Sequence, residues 1–549
     1  MGVKANVTLV FVTAYSIYYG YINYARMYAV STRAARAKRA REGELDVEDI
    51  NSASPTEQYA VLLVGGRFVN PFPEYREQGI FEFIFWKLFE VIRWSPRGGV
   101  PRDRALLKTM IPVYKPDMEI LFDTTSTSGS GAGSDADGGV LEGTLASAGT
   151  SGLSSSVTSA IYYSSDTGSS ATFALDSPAL TDSWTAVNSS RHATGTSPLG
   201  RDLVSDAGSD STASDSAGSV PYPPSSEGPA SIGGGSRFGD IPAQELPLVM
   251  PAKDERLTVT WIGQSCMLVQ CRGTNFLTDP VFGEHLVHAH FGPSRLGELP
   301  CKLEELPPID FVLVSHNHPD HFEDAAVRQI GNSATWIVPA GVRSFLARRG
   351  IFRVMEMTWW DRAPLQTKGD GWEIACTPSM HWSGRGLFDT NVSLWCSFMI
   401  LHHSRPVVFH AGDTGYSTEM FTAIAQVYGP GCELALVPCG AYEPRFHLRP
   451  IHTNPEEALK IMHDLGARRL VGVHHGTFTM SDEYFLEPKR RLENEAARCG
   501  LSDAVWGAEF GRTVVVPYRV RDEGSVEEGG EGAGVGPIRG IQGRDTLIW

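Results

Sequence analysis

Ser315-His316-Asn317-His318-Pro319-Asp320-His321-Phe322-Glu323 follows directly on the apolar run Phe311–Val314. The run reads as a buried strand, which makes the His-rich stretch the loop at its C-terminal end. Three imidazoles and a carboxylate within six residues are costly to keep on one short loop unless something binds them. Imidazole nitrogen and carboxylate oxygen are the donors that borderline Lewis acids prefer, zinc above all. His at the first and third positions and Asp-His at the fifth and sixth can divide into two ligand sets. Such a loop can hold two metals side by side, the arrangement that hydrolyses phosphate esters and related bonds.

Four further residues have the right chemistry at the right kind of place. Asp279 lies in Phe276-Leu277-Thr278-Asp279-Pro280, and His381 follows the β-rich run Glu373–Thr377. Asp413 lies in His410-Ala411-Gly412-Asp413-Thr414-Gly415, and His474 follows Leu470–Val473. Each sits at the mouth of an expected strand, where a rigid scaffold holds ligands best. A lone His after a strand means little; the ordered series of Asp, His-x-His-x-Asp-His, His, Gly-Asp-Thr and His carries the inference. His475 stands beside His474 as a competing ligand.

Around these residues the chain is β-rich from Leu257 onward. Strands are expected at Leu257–Ile262, Cys266–Cys271, Phe311–Ser315, Thr335–Val338, Glu373–Thr377, Leu394–Leu401, Val407–His410, Leu434–Val437 and Leu470–Val473. Helical patterns intervene at Met420–Tyr428, Pro455–Leu465 and Pro488–Cys499. This mixture predicts a layered α/β (α+β) domain.

The first half is different. Ala5–Ala25 contains 21 residues without a charge, followed by Arg26, Arg33, Arg36, Lys38, Arg39 and Arg41, with no acidic residue before Glu42. That predicts a membrane anchor, or alternatively a segment lying on the membrane or a mitochondrial targeting segment. The basic flank would keep the remainder in the cytosol or the mitochondrial matrix. Gly79–Trp94 reads as an amphipathic helix. From about Asp123 to Gly239 the chain is mostly Ser, Gly, Ala, Thr and Asp, too poor in apolar residues to offset ordering entropy, and is expected to be disordered. Residues 523–543, rich in Gly and Glu, read the same way.

The chain has 549 residues and a formal net charge of −16. That balance argues against nucleic acid as partner, because phosphate binding needs a basic footprint. The eight cysteines form no C-x-x-C pair and no disulfide-like ladder, which fits free thiols in a reducing compartment.

The ligand series resembles the metallo-β-lactamase superfamily over roughly residues 257–517. The resemblance implies a four-layer αββα sandwich with the metals at one edge of two facing sheets. It places His316, His318 and His381 on one zinc ion and Asp320, His321 and His474 on a second, with Asp413 bridging. It implies catalytic roles for Asp320 and Asp413, and has Asp279 ordering the ligand loop from behind. His474 is preferred to His475 because the family's ligand directly follows the last strand. Gly66-Arg67-Phe68-Val69-Asn70-Pro71-Phe72-Pro73, Thr260-Trp261-Ile262-Gly263, Gly440-Ala441-Tyr442-Glu443-Pro444-Arg445 and His474-His475-Gly476-Thr477-Phe478 are similar to one branch, the N-acyl-phosphatidylethanolamine-hydrolysing phospholipases D. Gln264 and His475 depart from that branch, where His and Trp are familiar.

This closer resemblance implies hydrolysis of N-acyl-phosphatidylethanolamine to phosphatidic acid and an N-acylethanolamine, with Tyr442 and Arg445 as phosphate or headgroup contacts. It divides the chain into 1–45 (anchor or targeting segment), 60–118 (N-terminal extension), 119–245 (disordered insertion), 246–520 (catalytic domain) and 521–549 (flexible tail). The expected partners are a membrane and its phospholipid, and a homodimer is left open. Two other readings stay open: a lactonase or nuclease of the same fold, and a membrane scaffold built on a degenerate hydrolase.

Overall fold

The computed structural model describes residues 3–42, 54–77, 99–122, 255–286, 292–367, 371–386 and 389–518. All of them belong to one compact unit assembled from the two ends of the chain. The expected amphipathic helix at Gly79–Trp94 and the tail from residue 521 lie outside the described residues. The expected insertion does too, except that 119–122 belong to a short helix, Met118–Phe122.

A small hairpin, β1 (Leu62–Val64) and β2 (Arg67–Val69), precedes the main sheets. The first main sheet holds β3 (Arg256–Gly263), β4 (Cys266–Cys271), β5 (Thr274–Thr278), β6 (Phe311–Leu313), β7 (Thr335–Pro339) and β8 (Val354–Met357) in sequential order. The second holds β9 (Arg362–Pro364), β10 (Trp372–Thr377), β11 (Ser397–His402), β12 (Arg405–His410), β13 (Leu434–Pro438), β14 (Leu470–Val473) and β15 (Val505–Gly507), again in order. The last strand, β16 (Thr513–Pro517), returns to the first sheet and pairs antiparallel with β3. The resulting α/β architecture is the four-layer αββα sandwich.

Alternation along the strands creates the layers, because successive side chains point to opposite faces. Leu257, Val259 and Trp261 of β3, Phe311 and Leu313 of β6, and Ile337 of β7 face the second sheet and share a core with Ile374, Phe398, Ile400 and Leu436. Val312, Val314, Trp336 and Val338 point the other way and pack with Val327, Ile330 and Leu346, from the helices Asp324–Ile330 and Arg343–Ala347. Helices Thr418–Tyr428, Pro455–Asp464 and Glu487–Arg498 cover the second sheet. Pro455–Asp464 starts sharply because Asn454 accepts from the Glu457 amide at 2.9 Å, while the Glu457 carboxylate accepts from the Asn454 amide at 3.1 Å.

All nine expected strands and all three expected helices in this region are present, with ends shifted by a few residues. The strand expected at Leu394 begins only at Ser397. Leu394 and Cys396 instead donate to Ala340 and Ser315 of the facing sheet, crossing between layers before pairing starts.

The membrane anchor requires correction. Ala5–Ala25 lies within a 39-residue helix, α1 (Val3–Arg41). Among the described residues no helix is long and apolar enough to cross a membrane. The run lacks charge, but Asn6, Thr8, Thr13, Ser16 and Asn23 and its many tyrosines leave it too polar.

All eight cysteines are free, and all but Cys499 are buried. Under native conditions a thiol reagent is therefore expected to label one cysteine quickly, and all eight in denaturant; fast labelling of several in the native protein would contradict this packing.

Candidate metal centre

The His-rich loop is fixed at both ends before any ligand is considered. At its start the Ser315 amide donates to Asp279 Oδ1 at 2.7 Å, and Ser315 Oγ to Asp279 Oδ2 at 2.8 Å. At its end Phe322 is buried, and Arg385 donates to the carbonyls of Asn317 and Phe322 at 3.0 and 2.7 Å. Gly412 (φ +57°) permits the close approach of the Asp413 loop, since a Cβ there would lie 2.4 Å from Ser315 Cβ.

Two buried clusters result. In the first, His316 Nε2 lies 2.7 Å from His318 Nδ1, and His381 Nε2 lies 3.3 Å from the same atom. In the second, His321 Nε2 is 3.4 Å from Asp320 Oδ2 and 3.1 Å from Asp413 Oδ2. His474 Nε2 is 3.3 and 3.2 Å from the same two oxygens. Asp413 Oδ2 also stands 3.7 Å from His381 Nε2, which puts Asp413 between the clusters. The ligating atoms of His316, His318 and His381 all lie within 4.8 Å of one another, and so do those of Asp320, His321, Asp413 and His474. The structure brings together all seven ligands expected from the sequence.

It also separates His474 from His475. His474 takes a left-handed backbone (φ 60°) at the end of β14, which turns its ring into the cluster. His475 packs on Trp261 with ring centroids 4.9 Å apart.

Asp279 Oδ2 sits 2.9 Å from both His321 Nδ1 and His410 Nε2. Burial alone would raise the Asp279 pKa, but the His410 and His321 rings outweigh it and hold the carboxyl below its ordinary range. Burial would likewise raise Asp320 and Asp413, yet the facing imidazoles hold both well below it. Burial pushes His318 down to about 4 and His381 to about 3, leaving neutral rings ready to donate electron pairs. Burial also disfavours the charged form of His321 and His474, but their carboxylate neighbours prevail. His321 is raised well above its ordinary value and His474 to about 9.

Several buried polar atoms here have no hydrogen-bond partner, among them His318 Nε2 and Asp413 Oδ1. Orphaned buried acceptors cost free energy unless a ligand satisfies them. With this donor set, the residues fit divalent metal ions.

Tyr442 and Arg445, expected as phosphate or headgroup contacts, have partners within the protein. Tyr442 is buried and its hydroxyl donates to Glu487 at 2.8 Å. Arg445 Nη2 donates to both Glu457 oxygens at 2.7 Å, and its Nη1 to the His452 carbonyl at 3.2 Å. Both side chains hold the loop around Pro444 to neighbouring helices.

Two neighbours of the clusters carry no metal-binding pattern in the sequence. His452 is buried with Nδ1 4.0 Å from Asp413 Oδ2, and it groups with His381 and Asp413 as a further metal-capable set. Gln264 Nε2 donates to Asp320 Oδ2 at 2.8 Å and lies 2.8 Å from His474 Nε2. Neither residue follows an expected strand in a metal-binding pattern.

Residues 274–475 match a family model described as Beta-lactamase superfamily domain. The chain is 33% identical over 498 residues to the N-acyl-phosphatidylethanolamine-hydrolyzing phospholipase D, mitochondrial, of Saccharomyces cerevisiae, covering 90% of this chain and 85% of that protein. It is 37% identical over 247 residues to N-acyl-phosphatidylethanolamine-hydrolyzing phospholipase D 1 of Caenorhabditis elegans, covering 43% of this chain and 69% of that protein. Among solved structures it is similar to the metallo hydrolase Igni18 of Ignicoccus hospitalis, at 23% identity and a TM-score of 0.39, over 48% of this chain and 100% of that one.

Metal uptake should displace the protons that the metal-free site holds on His321 and His474 at neutral pH. Calorimetric titration with a divalent metal at pH 7, in two buffers of different ionisation enthalpy, is expected to report about two protons released. Buffer-independent heats would contradict the site's electrostatics.

Proposed function

The chain belongs to the N-acyl-phosphatidylethanolamine-hydrolysing phospholipase D family, and from that premise we propose that it cleaves N-acyl-phosphatidylethanolamine into phosphatidic acid and an N-acylethanolamine using two zinc ions. That it is a metal-dependent hydrolase of the metallo-β-lactamase fold follows from family and fold together. One observation carries the finer reading: two buried clusters of ligand-type side chains lie side by side with Asp413 between them, and buried acceptors there have no partner.

His316, His318 and His381 would hold one ion, and Asp320, His321 and His474 the other, with Asp413 bridging. Bound ions supply Lewis acidity at the phosphoryl oxygens and an acidified water. The chain's own groups supply the rest. Asp413 Oδ1, buried and unpartnered, is placed to accept a hydrogen bond from the attacking water and so orient it. Asp320 is kept in register by Gln264, and His381 by the Ile451 carbonyl 2.9 Å from its Nδ1. His452 Nδ1, also unpartnered, supports a hydrogen bond to a substrate oxygen. The water oxygen ends on phosphorus, the bond from phosphorus to the ethanolamine oxygen breaks, and the departing oxygen takes the proton that the water gave up.

The reading extends to place and boundaries. We assign catalysis to 246–520 with 60–118 as its extension. We assign the enzyme to a mitochondrial membrane surface, with the catalytic part facing the cytosol or the matrix. The yeast relative's name includes "mitochondrial", and α1 exposes Val10, Ile17, Tyr21, Tyr24 and Tyr28 ahead of a basic stretch, a composition suited to an anionic lipid interface.

Incubation of the zinc-loaded protein with N-acyl-phosphatidylethanolamine in ¹⁸O-water is expected to give N-acylethanolamine and ¹⁸O-labelled phosphatidic acid. Asp413→Asn should lower kcat by at least about 100-fold. Release of free fatty acid without N-acylethanolamine would sink the substrate assignment.

A further inference from the structure

We propose that Arg26 of α1 is a positioning residue for the metal centre, acting through Asn70 on the backbone that carries His381; this rests on the metal assignment above. Arg26 is 3% exposed, yet it lies on the face of α1 that also buries Ile22 and Val30. Its guanidinium donates from Nε to the Asn70 carbonyl at 2.8 Å, and from Nη2 to the carbonyls of Phe72 and Tyr75 at 2.5 and 2.6 Å. The cation also lies over the Tyr75 ring, 5.2 Å from its centroid. One side chain thus gathers three carbonyls of the segment Asn70–Tyr75.

The same face reads the extension at two-turn intervals. Tyr19, Arg26 and Arg33 are spaced seven apart, and seven residues return a helix to nearly the same face. Tyr19 donates to the Glu77 carbonyl at 3.1 Å and Arg33 to the Ala60 carbonyl at 2.7 Å. α1 therefore grips the extension by its backbone at three points, with Arg26 in the middle.

Asn70 passes the constraint on. It is fully buried, and while its carbonyl accepts from Arg26, its Nδ2 donates to the His381 carbonyl at 2.7 Å. The hairpin β1–β2 adds a second tie to the same loop, through the Phe68 amide to the Asn391 carbonyl at 2.9 Å. Asn391 in turn binds Ser383 through its amide at 2.8 Å and its Oδ1 at 3.1 Å. The His381 ring is held by Ile451 at Nδ1, so the placement of Nε2 in the cluster depends on where its backbone lies.

Burial of a guanidinium is costly, and a well-packed apolar side chain often serves stability as well or better. Between Ile22 and Val30, Leu or Met would complete an apolar stripe. What an apolar residue cannot do is fix three carbonyls, and through them Asn70, at defined positions.

The test uses the full-length zinc-loaded protein and reads zinc transfer to a chromogenic chelator, alongside the melting temperature. Arg26→Met and Asn70→Ser are each expected to release the zinc held by His316, His318 and His381 about 10- to 100-fold faster than wild type, the range lost when a ligand's supporting shell is removed. The double variant should release it no faster than the faster single one, because both act on one path. Arg26→Lys, which keeps a three-donor cation, should fall in between, and Tyr19→Phe should match wild type. Wild-type release rates in folded Arg26→Met and Asn70→Ser, with only a lowered melting temperature, would overturn the proposal. Should Arg26→Met not fold, Arg26→Lys and Asn70→Ser decide together, and a wild-type release rate in either would overturn the proposal. Cleavage of N-acyl-phosphatidylethanolamine is followed in parallel. Faster zinc release in the variants with no cleavage by wild type would refute the substrate assignment and uphold the role of Arg26. A wild type that takes up no zinc would overturn both.

Discussion

Asp279 is fully buried at the end of β5 and commits both carboxylate oxygens to partners from two sheets. Ser315 and His321, on the loop after β6, come from one sheet, and His410, the last residue of β12, from the other. A buried carboxylate is tolerable only when charge-assisted hydrogen bonds surround it. The contacts that satisfy Asp279 also lock the His-rich loop to the facing layer. The rest of the site depends on that lock: the rotation of His321, the start of the loop at Ser315 and the approach of the Asp413 loop through Gly412 all meet at this residue.

From that anchor the electrostatics of the centre follow. Three carboxylates in a dry pocket cannot stay ionised without compensation, and in the metal-free chain His321 and His474 provide it by holding protons. The remaining rings, His316, His318 and His381, are driven neutral mainly by burial. One group of side chains is therefore set to surrender protons and the other already offers lone pairs. Both conditions suit divalent cations, which replace protons as the compensating charge and satisfy acceptors that have no partner in the chain alone.

The ligands were legible because each sits where a periodic apolar run ends, and a strand mouth is a local feature. His316, His318, Asp320 and His321 could be found from one loop; His381, Asp413 and His474 needed only the order of strands. His452 and Gln264 were not legible, because contacts between distant segments alone bring them to the cluster. Tyr442 and Arg445 look like exposed polar contacts within Gly-Ala-Tyr-Glu-Pro-Arg, yet their carboxylate partners, Glu487 and Glu457, come from later helices. The three-residue strands β9 and β15 escaped for a related reason: pairing to a neighbour creates them, not their own pattern. In α1 a run without charge is still too polar to cross a membrane, because hydroxyls and amides recur along it.

The proposed hydrolysis requires two metal ions in these clusters, with Asp413 between them. Anomalous diffraction from crystals of the zinc-loaded protein, recorded on both sides of the zinc absorption edge, tests it most directly. Two zinc peaks are expected, one among His316, His318 and His381 and one among Asp320, His321 and His474, with Asp413 between them. A single peak, or zinc bound away from these residues, would contradict it.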